Sequence, residues 1–121
     1  MVQAVTQVNY EGKQITIMDY SGCEKSEVLR RVDEVKSWIS KQPLNSLLTI
    51  TDVSGQIFDK ETISAFKGLA AHNKPYVKAG TVVGIEGLMK IAYNTVMAFS
   101  GRNMPIFESR EKAMVWLSNQ P

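Results

Sequence analysis

The sequence predicts an α/β fold in one domain spanning residues 1–121, with elements in the order ββαβαβαβα. The sheet is expected to be five-stranded and mainly parallel, with an antiparallel early strand and flanking helices. Three observations carry this. Short runs rich in β-branched residues alternate along the chain with segments whose apolar residues recur at helical intervals. The connections are short, so parallel neighbours must be joined by right-handed crossovers through the helices. The first two runs are separated by a turn instead of a helix, which makes them a hairpin.

Val5 and Val8 precede Asn9-Tyr10-Glu11-Gly12-Lys13, and Ile15, Ile17 and Met18 follow with partial alternation, so the opening hairpin turns there. Ser21 stands three residues before Glu24, a capping-box spacing, and Val28, Val32, Val35 and Ile39 line one helical face until Pro43 forbids continuation. This is the first helix. Ser46 to Thr51 is apolar and β-branched, bounded by Pro43 and Asn45 before it and Ser54-Gly55 after it, and reads as a buried strand. Asp59 caps the second helix, in which Ile63, Phe66, Leu69 and Ala70 form one stripe and which Asn73 and Pro75 end. Tyr76 to Val83 supplies the next strand. A third helix, about Ile85 to Ser100, closes at Gly101, a natural left-handed cap. Met104 to Phe107 makes the last strand, and Ser109 caps a final helix carrying Ala113, Met114, Trp116 and Leu117.

Composition excludes several function classes. A chain of 121 residues buries roughly two-thirds of the surface its unfolded form exposes, enough for one complete core. Its 14 basic and 12 acidic residues leave a net charge of +2, so no overall field recruits nucleic acid. The longest apolar region, Ile85 to Phe99, is broken by Glu86, Lys90 and Asn94 and is too short and polar to span a bilayer. The single cysteine, Cys23, has no internal disulfide partner, and the opening residues carry neither a basic leader nor a long apolar run, so a cytoplasmic protein is expected.

The most distinctive segment is Thr51-Asp52-Val53-Ser54-Gly55 followed by Asp59-Lys60-Glu61-Thr62, which joins a buried strand to a helix. Together with the element order and the terminal Phe107-Glu108-Ser109-Arg110-Glu111-Lys112-Ala113, it resembles the SpoIIAA-like branch of the STAS family, over nearly the whole chain from Val8 to Leu117. The resemblance implies no catalytic activity, no cofactor, and function through docking to a partner protein. In regulatory members a serine just after an aspartate at the start of the second helix is phosphorylated and controls docking. Here Asp59 matches that aspartate and Lys60 stands at the serine's place, so the phosphoswitch is expected to be absent. A phosphate would gain from the helix N-terminus, whereas Lys60 puts a fixed positive charge near the positive end of the dipole. Thr62 is read as a capping-box partner of Asp59 and Ser54 as a turn residue. Asp52, Ser54, Asp59, Lys60 and Thr62 form the expected docking loop.

This branch is also similar in shape to CRAL-TRIO lipid-transfer domains, which implies a second role in holding an apolar ligand. On the third helix, Glu86, Lys90 and Asn94 fall on one narrow strip at i, i+4 spacing. Apolar residues including Ile85, Leu88, Met89, Val96 and Phe99, with Tyr93, occupy more of the circumference than one sheet covers. Three uses of that arc are open: intramolecular core beneath neighbouring helices, a homodimer interface, or the wall of an apolar pocket served by adaptable methionines.

Chemistry-bearing residues are few. Cys23 at the expected start of the first helix invites thiolate formation, but adjacent Glu24 opposes it and no base or second cysteine accompanies it. A thiol enzyme is therefore the weakest alternative. His72 has no second histidine or extra cysteine to complete a metal site, so no metal is expected. Gly80, Gly84 and Gly87 match neither dinucleotide nor Walker spacing and are read as packing and turn residues. Lys74, Lys78, Lys90 and Arg102 are candidate anion contacts near the carboxyl ends of the parallel strands, and Arg102 is also placed to bond the last carbonyls of the third helix.

Overall fold

In the computed structural model, which describes residues 4–121, strands β1 (Val5–Tyr10) and β2 (Lys13–Asp19) form the hairpin. Glu11 and Gly12 turn it with φ of 51° and 80°, a turn whose twist suits paired strands. Strands β3 (Leu47–Asp52), β4 (Val77–Val83) and β5 (Ile106–Phe107) then join in sequence order. The sheet runs β1-β2-β3-β4-β5, antiparallel in the first pair and parallel in the rest.

Because each crossover advances one strand in the same direction, a uniform hand sends its helices to a single face. Helices α1 (Lys25–Ile39), α2 (Lys60–Asn73) and α3 (Met89–Ser100) contribute Val28, Val35, Phe66, Leu69 and Met97 to one core with Met18, Tyr20 and Val82. Helix α4 (Arg110–Ser118) covers the other face, packing Ala113 and Leu117 on Ile15, Ile17, Ile50 and Val83. With both faces covered, β3 is buried at every position but Thr51, which is half-buried.

Asp59 and Thr62 form the full capping box at the start of α2, Gly101 ends α3 at φ 70°, and Ser109 accepts from the Lys112 N–H to cap α4. Three expectations are corrected. Ser21 does not cap α1: its N–H and hydroxyl both donate to Asp19 Oδ1, and α1 starts at Lys25 after Glu24 without a side-chain cap. Helix α3 starts at Met89, not Ile85, because Gly84 and Gly87 take φ of 96° and 53° and hold the intervening residues in a loop. Strand β5 is only Ile106–Phe107. Among the described residues, no helix is long and apolar enough to cross a membrane.

Candidate functional site

A cavity of about 60 Å³ lies between α2, α3 and the sheet, walled by Phe66, Leu69, Val82, Ile85, Tyr93 and Val96. On the scale by which one water needs roughly 10–15 Å³, it has room for several non-hydrogen atoms. Sheet residues on the helix-covered face alternate with those beneath α4, so Thr51, Val53 and Val82 form its floor. The short side chain of Ala92 leaves space on the α3 side, and Met97 and Met104 line the remaining edge. The Tyr93 hydroxyl donates to the Met104 carbonyl, which leaves the ring as a wall of the cavity.

The apolar arc of the third helix thus divides. Ile85, Tyr93 and Val96 line the cavity, and Met89 packs partly buried against the core. Leu88 and Phe99 do not line it; they are 84% and 60% exposed, and Ile91 is 67% exposed between them. Thr95 falls on the same stripe, its hydroxyl turned back to the Ile91 carbonyl, so α3 carries an outward apolar strip along its length.

The four basic residues do not gather at the carboxyl ends of the strands. Lys74 follows α2 with its Nζ 3.0 Å from where a Cβ on Gly101 would stand, and Lys78 lies near the start of β4. Lys90 sits in the first turn of α3, beyond the opposite end of β4. Arg102 alone enters the cavity wall. Its Nη1 donates to the Ala70 carbonyl of α2 at 3.3 Å, not to the carbonyls of α3, although its backbone N–H does bond the Met97 carbonyl. The close approach depends on Gly80, where a Cβ would stand 2.7 Å from Met104 Sδ and 3.0 Å from Arg102 Nη2.

The docking loop is held from both ends. Asp52 is buried, accepts from the Ser54 N–H at 3.0 Å, and pairs with Arg110 of α4. Thr62 is buried and bonded to Asp59, while Asp59 and Glu61 both reach Lys25 of α1, at 2.9 and 2.7 Å. Gln56 Nε2 donates to the carbonyls of Tyr20 and Cys23, tying this loop to the end of β2. Lys60 and Ile57 are open to solvent, Ile57 at 88%. Arg110 belongs to the terminal motif, but its partnership needs β2, β3 and α4 to meet, which no local pattern announces.

Cys23 precedes α1, and burial pushes its thiol up, the opposing field of Arg31 coming second. His72 Nδ1 lies 2.9 Å from Asn73 Oδ1 and its ring stacks on Tyr76. Among the described residues, no three His, Cys, Asp or Glu side chains group as metal ligands. No family model matches the chain, and neither a curated protein nor a solved structure matches it.

Proposed function

We propose that this domain is a small-molecule binding module whose ligand is apolar and sits between α2, α3 and the sheet. The observation that carries this reading is the cavity itself, whose walls are almost wholly apolar and which the native side chains leave unfilled. Interiors normally pack to crystal-like density, so an unfilled apolar space forfeits dispersion contacts that a ligand would restore. The test is titration of the protein with 1-hexanol, followed by amide NMR. Shifts centred on Leu69, Val82, Tyr93 and Val96, abolished by the cavity-filling Ala92→Leu, are expected. No saturable change at millimolar 1-hexanol would overturn the reading.

A second reading, an interaction module that self-associates, is favoured by the outward strip Leu88, Ile91 and Phe99. Its occupant is a second copy of this chain: a strip along one helix can meet its own twofold mate across an isologous interface, and its own side chains are uncharged, with the Lys67 ammonium 5.3 Å from the Phe99 ring at its edge. The STAS-like resemblance, with a cytoplasmic, non-enzymatic module docking constitutively through the loop at Lys60, remains a proposal supported by the sequence motifs and by the exposure of Lys60 and Ile57.

A further inference from the structure

We infer that the cavity selects a small apolar monocarboxylate, with the acid group on Arg102 and the hydrocarbon along α3. This deepens the reading of the cavity as a ligand site and rests on it.

A guanidinium carries five N–H donors in a rigid fork. Arg102 donates a hydrogen bond to one protein group, the Ala70 carbonyl, and that bond is long. No Asp or Glu among the described residues forms an ion pair with it. Buried charges are normally paired, because taking one out of water is costly. Burial pulls Arg102 down to about 10, so it remains a cation at neutral pH. It is a positive charge half-buried in an apolar wall, so part of its own desolvation cost is already met before an anion arrives.

A second polar atom without a partner lies close to Arg102 but does not line the cavity. Thr49 Oγ1 is fully buried and makes no hydrogen bond. It lies 3.1 Å from the Cβ position of Gly80, the same position that Arg102 Nη2 approaches at 3.0 Å. Both stand close over Gly80, packed there with Met104 Sδ, which would lie 2.7 Å from a Cβ at that position, so it is the guanidinium in the cavity wall that meets an anion. A carboxylate accepts two parallel N–H bonds from a guanidinium. A phosphate monoester would bring nearly two negative charges against a single cation, leaving one uncompensated among Phe66, Leu69 and Val96. Charge balance thus selects a monoanion, and the apolar walls select its tail.

The probes are hexanoate and 1-hexanol, titrated separately at pH 7 into the full chain and into Arg102→Met, with affinities read by amide NMR. Methionine keeps an apolar stem and removes a buried charge, so the fold is expected to survive. Hexanoate should bind the native protein roughly tenfold more tightly than 1-hexanol. Arg102→Met should remove that preference, so that hexanoate binds the variant no more tightly than 1-hexanol does. Equal affinities in the native chain, a comparison that needs no variant, would overturn the inference, as would a preference that survives Arg102→Met. In both cases 1-hexanol still binds and the cavity reading stands. Binding of neither probe would overturn the cavity reading and this inference together.

Discussion

Arg110, the first residue of α4, donates from Nε to Asp52 Oδ2 at 2.7 Å and fastens the last helix to the carboxyl end of β3. The same guanidinium reaches Asp19 Oδ1 at 3.2 Å. Asp19 and Asp52 are register partners on adjacent strands, so two carboxylates stand side by side and need a cation between them. Arg110 supplies it with a fork that a lysine lacks.

Arg110→Met should destabilise the domain by about 1–3 kcal/mol, because it strands buried Asp52, the loss being tempered by the partial exposure of Arg110 itself. Urea denaturation measures it. An unchanged midpoint would show that the bridge contributes nothing to holding α4.

The Thr62 backbone N–H, and next the Lys25 ammonium, hold the Asp59 carboxyl at about 2, below its ordinary 3.8. Folding therefore favours the deprotonated form, and the resulting stabilisation is complete above pH 3.8 and is lost as pH falls toward 2. Across that window the native protein should lose stability more steeply than Asp59→Asn, which keeps a capping side chain without the titration. Equal slopes in denaturation series at several pH values would refute the assignment.

Gly84→Ala should be far more damaging than Gly87→Ala. At Gly84, φ is 96° and a Cβ would lie 2.5 Å from the Ser54 backbone nitrogen and 2.6 Å from its Cα, atoms that cannot swing aside. The combined strain and overlap correspond to about 2–5 kcal/mol. At Gly87, φ is 53° and nothing stands within 4 Å, so about 1 kcal/mol of backbone strain is expected. Similar melting temperatures for the two variants would contradict this account.

Sedimentation at micromolar concentration should show a homodimer, and Ile91→Lys should yield a monomer with unchanged melting temperature. Ile91 is the position of choice because it is exposed, whereas a charge at Met89 would also enter the packed core. A native protein that stays monomeric at high concentration would leave the α3 strip without this role.

The order of elements, the Asp59–Thr62 box, the Ser109 cap and the Gly101 terminus were legible because each depends on residues close in sequence. The failures have the same logic in reverse. Ser21 had the spacing of a cap but found Asp19 nearer, and the apolar residues from Ile85 onward had helical spacing but met two glycines at positive φ.

By itself, then, the sequence determined which segments become strands and helices and that the third helix has more apolar surface than one sheet absorbs. Only the tertiary structure decided how that surface is shared between the inward-facing Tyr93 and Val96 and the outward-facing Ile91 and Phe99, since that depends on where α2 lies. It likewise decided the fate of the basic residues. Local spacing treats Lys74, Lys78, Lys90 and Arg102 alike, yet α3 ends over β4 at a glycine, and that contact sets the Arg102 side chain, half-buried, into an apolar wall.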